Sequence, residues 1–507
     1  MDRLSDFIKR LSSVKCDECV KTVKMEAAEY GVYPDSLRKH KDKFFFLAKV
    51  KNEKVLVIVE NDSLSDNFLG VVHHISGVKV RICELSNRNC HELRKVFTFM
   101  NPKSHRTEKF TFGLGDRLGL ASAGHLRLIK DKNVFPVLAQ QSIREITLTA
   151  RDYDDVICAA CWAVFQEGYT KGFGADGDHL KTKDEVKMAI DHGFTMITLD
   201  CSDYIGGRHG VLTDKDLDEK YNEIDDDRRQ LLELKYLDKC FKLINGRTIN
   251  FTPASLKEAT VLYLKAIDFA ADVYHNLIEK CGRDIDFEMS VDETYTATTP
   301  EAHFFVASEL FSEGVRPISL APKFCGEFQK GIDYKGNIEQ FEREFAEHAE
   351  IAGHFGYKLS IHSGSDKFSI FPIIADKTNS NVHVKTAGTN WLEALRVIAE
   401  INPLLFVRIY DYAVKSLLEA KKYYHVAVDE KSAPDVTKLD EDSISSLLVL
   451  EESRQILHIT YGALLLAKDD SGKPLFKDLI YDLLNDNEEL YYEKLAIHIG
   501  NHMMPFE

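Results

Sequence analysis

No run of this sequence is long and apolar enough to span a bilayer. The longest apolar runs, such as VICAACWAVF (156–165), are about half the length a membrane helix needs. The opening residues, MDRLSDFIKRL, lack the apolar segment of a secretory leader. Basic charge is also scarce: 65 Lys and Arg stand against 81 Asp and Glu, a formal charge of −16. No basic patch dominates, so the electrostatic footprint of a nucleic-acid binder is missing. The acidic balance does not exclude an anionic substrate, which one or two local cations can hold. The 10 cysteines follow no framework spacing, which fits a reducing compartment. Two CxxC pairs, Cys16/Cys19 and Cys158/Cys161, lie far apart, and the second sits in an apolar helix-like run. They do not read as one zinc site. A Walker motif is absent, and glycines 113, 115 and 119 miss the dinucleotide spacing. These absences argue against kinase and dehydrogenase chemistry and point to a cytoplasmic chain.

What is present is a core and a rhythm. Hydrophobic residues make up 44% of 507, enough for a large barrel with additions at both ends. Residues 1–105 read as an α/β preface, with strand-like FFFLAKV (44–50) and VLVIVE (55–60). Across 106–401, short apolar runs end in Gly, Asp, His or Ser and lead into helical patterns, the signature of a parallel β/α fold. Eight such runs stand out: 110–113, 135–140, 172–176, 196–200, 284–290, 317–322, 358–363 and 382–388. Helices are expected at 154–168, 183–193, 255–281, 299–313, 337–355 and 390–401, with Thr299 as a cap and Pro300 in the first turn. The expected fold class is α/β, a (β/α)8 TIM-barrel-like core. A charged insertion occupies 203–250, and 402–507 reads as a helical C-terminal extension.

Barrel chemistry sits where strands end. The third strand ends in GADGDHLK, which supplies Asp176, Asp178, His179 and Lys181; a helix cap is the plain alternative. In the fifth, DIDFEMSVDET, alternation puts Glu288 on the face of Asp284, Asp286 and Ser290, where a buried carboxylate needs a partner. Asp292 and Glu293 follow in the loop. The sixth unit, APKFCGEFQKGIDY, is dense in Lys323, Glu327, Gln329 and Lys330. The seventh, KLSIHSGSDKF, ends in His362 before a Gly-Ser turn, a natural metal ligand position. The eighth places Lys385 on the face of His383, where it can hold a carboxylate. In FGLGDRLGLASAGHLR (112–127), Asp116, Arg117 and His125 serve either a substrate or a structural turn. Nitrogen and oxygen ligands without thiolates suit a borderline or hard divalent cation.

Six blocks together resemble the tagaturonate epimerase family: FGLGDRLGLASAGHLR, GADGDHLK, SVDET, GEFQKGIDY, HSGSDKFSIFP and KTAGTNWLEALR. They fall in order between about 110 and 400. The resemblance implies a metal-dependent isomerase that interconverts D-tagaturonate and D-fructuronate in hexuronate catabolism. It implies Asp178 as proton acceptor and Glu288 as proton donor, with Glu293 the rival. It implies His179, Gln329 and His362 as ligands of a divalent cation, with Glu327 the rival of Gln329. Arg117, Lys181, Lys323 and Lys385 are the cations available to the substrate carboxylate. The two sugars differ at a carbinol carbon β to the ketone, whose C–H enolisation does not acidify. Retro-aldol cleavage and rejoining is one route; direct proton transfer is the other. A metal-dependent aldolase or ketose isomerase, a non-catalytic sugar-acid binder and a scaffold are the competing readings.

Overall fold

The computed structural model describes residues 2–12, 17–50, 52–60, 67–75, 77–207, 210–424, 426–436 and 444–507. Helices Asp2–Ser12 and Asp17–Glu26 precede an antiparallel sheet of β1 (Arg38–His40), β2 (Lys43–Val50), β3 (Glu53–Glu60), β4 (Val71–Ile75) and β5 (Val78–Glu84). Its order is β1-β2-β3-β5-β4. β2 is apolar on both faces because both are covered. Phe46 and Ala48 join Phe7, Ile8 and Leu11 of the first helix in one cluster, while Phe45 and Leu47 join the main core.

Eight parallel strands then close on themselves. They are β6 (Phe110–Leu114), β7 (Phe135–Ser142), β8 (Gly174–Leu180), β9 (Met196–Asp200), β12 (Asp286–Ser290), β13 (Ser319–Ala321), β14 (Lys358–Ile361) and β15 (Val382–Thr386). A small hairpin of β10 (Cys240–Lys242) and β11 (Thr248–Asn250) lies between the two halves. Closure runs through β9 on β12, with Asp200 beside Ser290, and β15 on β6, with Val382 beside Phe110. Each of the eight runs between 110 and 388 contributes one barrel strand. The expected helices also form, and Thr299 Oγ1 accepts from the Ala302 N–H at 3.1 Å, fixing the start of Pro300–Ser312. Helices Ser122–Ile129 and Phe371–Thr378, after β6 and β14, escaped the sequence reading. Each has 8 residues, too few turns for an apolar period to register.

The insertion folds into helices Asp214–Asn222 and Asp226–Tyr236 and the hairpin. Tyr236 pins it to the barrel layer against Phe251 and Phe305. The C-terminal helices cap the barrel: Trp391 Nε1 donates to Leu457 O at 2.9 Å, and Tyr491 Oη donates to Asn390 O at 3.1 Å. Glu488 on the last long helix accepts from Lys54 of β3 and, at 2.8 Å, from Tyr33. Cys158 and Cys161 are buried in helix Tyr153–Gln166, with Cys161 Sγ on Met100 O at 3.0 Å. Cys16 lies outside the described residues. Among the described residues no helix is long and apolar enough to cross a membrane.

Candidate active site

The end of β8 is where local sequence makes the site. β8 and β9 slip register between Gly177 and Leu180, and His179, at the slip, has φ +55°. Strict alternation would send His179 to the opposite face from Asp178. The slip re-aims it instead, so both side chains reach the mouth. Neither is the cap of the next helix; Thr182 is, with Glu185 completing the capping box.

Lys385, on β15, is the hub of the floor. Its Nζ lies 2.7 Å from Asp176 Oδ2, 2.9 Å from Asp178 Oδ1 and 3.0 Å from Glu288 Oε1. The Thr198 hydroxyl lies 3.0 Å from Asp176 and 3.2 Å from Glu288, and Ser319 Oγ donates to Glu288. Burial works against the charge of every member. For Lys385 the three carboxylates override it and raise the pKa. For Asp178 and Glu288 burial is overridden chiefly by Lys385, and both are held ionised. Asp176 is the exception: burial wins and its pKa rises to about 6.

His362 ends β14 and bridges this floor to the cavity. Its Nε2 sits 2.8 Å from Glu288 Oε1 and its Nδ1 3.2 Å from Asp292 Oδ2. Burial lowers its pKa, but Asp292 more than reverses this, to about 10; Asp292 in turn is held near 2. The His179 and His362 rings lie 4.7 Å apart. Ligand atoms of His179, Asp292 and His362 all lie within 4.8 Å of one another. The Nδ1 atoms of both imidazoles are buried without a hydrogen bond. Glu288 behind His362 supplies the carboxylate–histidine support usual for a ligating imidazole. These donors fit a divalent cation, whose binding would displace the proton that Asp292 otherwise holds on His362. A second set, His179, Asp200 and Glu293, shares His179, but Asp200 is already 3.2 Å from Lys181 and accepts from Ser202 N at 2.9 Å.

The mouth opens as a cavity of about 670 Å³ with a small deeper annex. His179, His362, Ser363, Arg144 and Lys330 line both. Asp178 and Lys385 line the annex, while Glu288 stands one layer behind, fully buried.

The sequence candidates divide accordingly. Asp178, Glu288, His179, His362 and Lys385 converge. Gln329 lines the wide cavity, but its Oε1 accepts from Gln455 Nε2 at 2.6 Å and Ala427 N at 3.2 Å, and its Nε2 donates to Glu327. Asp292 also stands beside the two histidines and lines the same cavity as Gln329. Lys323 reaches the rim, with Nζ donating to the carbonyls of Thr294 and Tyr295. Lys181 points to Asp200 and to Glu293, at 3.7 Å, and lies on neither wall. Arg117 is buried away from the cavity, 2.9 Å from Glu145 and stacked over Tyr461. Asp116 resolves the glycine-rich turn as structural: its carboxylate accepts from the N–H groups of Leu118, Gly119, Ala121 and Ser122. His125 is bonded to Asn390 at 3.0 Å. Arg144 went unnoticed, because it stands in a short helix, Ile143–Thr149, with no motif around it.

A closed parallel barrel whose strand ends bring carboxylates, a lysine and two imidazoles to one cavity is an acid–base barrel enzyme for a small polar molecule. The chain belongs to the tagaturonate epimerase family, whose sequence profile matches residues 33–505. It is 41% identical to the tagaturonate/fructuronate epimerase of Thermotoga maritima, over 94% of this chain and 96% of that protein. Crystal structures of a fructuronate-tagaturonate epimerase from Cohnella laeviribosi superpose with a TM-score of 0.91. The glycerol-complexed form is 45% identical and the native form 44%, each covering 97% of this chain and 99% of theirs.

Proposed function

We propose that the chain interconverts D-tagaturonate and D-fructuronate, using a divalent cation. The observation that carries this reading is the meeting of Asp178, Lys385 and the His179/His362 pair in one annex, in a chain that aligns with epimerases over nearly its whole length. His179, His362 and Asp292 would hold the cation, with Gln329 able to join only by releasing Gln455 and Ala427. When bound there it supplies Lewis acidity toward the ketone oxygen.

Asp178, ionised beside Lys385 and on the annex wall, takes the proton of the hydroxyl at the epimerising carbon. The bond between that carbon and its neighbour on the ketone side breaks. Its electron pair passes to the ketone, leaving an enediolate and an aldehyde. The aldehyde turns, the bond reforms on its other face, and the new alkoxide regains a proton. Asp178, protonated in the first step, returns it, while ionised Glu288 behind the wall holds Lys385 at 3.0 Å and His362 at 2.8 Å in place. Sugar-derived C–H exchange with solvent deuterium at the epimerising carbon would overturn the cleavage route in favour of direct proton transfer.

The test of the function is NMR or chromatographic analysis after incubation with D-fructuronate and each of several divalent metals, beside a chelated control. Metal-dependent D-tagaturonate is the expected product. No conversion with any metal would overturn the reading.

A further inference from the structure

Two half-buried cations line the cavity wall without a carboxylate partner among the described residues. Lys330 Nζ donates to Ser363 Oγ at 2.8 Å. Arg144 donates from Nη1 to Tyr423 O at 3.2 Å and stacks over Tyr424, and its Nε is buried with no hydrogen bond. Among the described residues neither forms an ion pair. Both line the wide cavity and the annex. Burial lowers the pKa of Lys330, and the nearby Arg144 charge lowers it further.

Such a pair is costly to hold together without an anion between them. Carboxylates line the two chambers, yet among the described residues none forms an ion pair with either cation. Glu145, the acidic neighbour, is committed to Arg117 at 2.9 Å. The remaining cations of the mouth are also committed: Lys385 to three carboxylates, Lys181 to Asp200, Lys323 to two carbonyls. A planar anion small enough to enter from the cavity is a carboxylate; the Arg144 fork matches its geometry and Lys330 adds a point charge.

We propose that Arg144 and Lys330 form the carboxylate subsite that selects a sugar acid over a neutral sugar. This inference rests on the epimerase reading for its substrate, but its physical claim is binding. His179 and His362 line the same two chambers, so a carboxylate held by the pair leaves the hydroxyl-bearing carbons of the same ligand to face the imidazoles and Asp178.

The experiment compares metal-loaded wild-type protein with Lys330→Met and Arg144→Gln, each checked for native circular dichroism and melting. Calorimetry measures D-galactonate, an unreactive sugar acid, against galactitol, its neutral counterpart. Kinetics on D-fructuronate run in parallel. Wild type should prefer galactonate by tenfold or more, and each folded variant should lose most of that preference. KM for fructuronate should rise at least tenfold in each, with kcat falling less. Folded variants that keep the wild-type preference and KM would overturn the subsite, as would a wild type with no preference for the acid. If one variant fails to fold, the other decides. A wild type that binds galactonate through the pair but converts no fructuronate would sink the epimerase reading and leave the subsite standing.

Discussion

The Lys385 ammonium stands 2.9 Å from Asp178 Oδ1 on the floor of the annex, and this contact fixes the ionised state of the carboxylate best placed to act as a base. The same lysine also neutralises Asp176 and Glu288. Removing it as Lys385→Met leaves three buried carboxylates without their cation. Loss of one partner from a buried ionic group costs about 3–5 kcal/mol. The expected result is a denaturant midpoint lowered accordingly and kcat reduced by at least about a hundredfold. A variant with wild-type stability would refute the hub.

Asp178→Asn keeps the shape of the annex and removes the base. We expect kcat to fall about 10²–10⁴-fold in steady-state assays with D-fructuronate. Galactonate affinity should change far less, because the claimed carboxylate contact is elsewhere. Near-normal turnover would remove Asp178 from its role.

Chelation should abolish turnover, and added divalent metal should restore it. His362→Ala should hold less than a tenth of the wild-type metal by elemental analysis, and Asp292→Asn should bind it at least about tenfold more weakly. The Asp292 arm separates two ligand sets. If Gln329→Ala loses metal and Asp292→Asn does not, Gln329 rather than Asp292 completes the site.

Lys358, at the start of β14, has a buried Nζ with no hydrogen-bond partner, and burial pushes its pKa down to about 8. Its unfolded value is near 10.5. Between the two, the unfolded chain binds more protons, so stability rises with pH across that window. Below about 8 the cost of the buried charge is fully present. Lys358→Met should therefore stabilise the protein at pH 7 by a few kcal/mol, with the gain shrinking as pH approaches 10.5. Urea melts from pH 7 to 10.5 check this; an equal effect at all pH values would contradict it.

Gly113 on β6 lies under Gln140: a Cβ there would come within 1.6 Å of Gln140 Oε1. Gly113→Ala should force that annex-lining amide aside, at about 1–3 kcal/mol for overpacking. A lowered melting temperature with raised KM is expected. An unchanged melting curve would mean that Gln140 yields freely.

The strands were legible in sequence because each buried parallel strand is a short apolar run punctuated by polar strand-end residues, and a terminal helix cap such as Thr299 is a local rule. Asp178, His179, Glu288, His362 and Lys385 could be named for the same reason: each is polar at the end of an apolar run, where burial demands a partner. Direction and partnership were not legible. The register slip that turns His179 into the mouth depends on how β8 pairs with β9. The withdrawal of Arg117 into Glu145 and Tyr461, and the placing of Asp292 beside the two imidazoles, depend on loops that meet only when the barrel closes. Arg144 and Lys330 share a wall despite coming from different βα units. Local sequence determines which residues must be buried or capped, because those energies are short-range. Which charges then face one another is decided by closure of the barrel, because it brings together groups that no spacing along the chain relates.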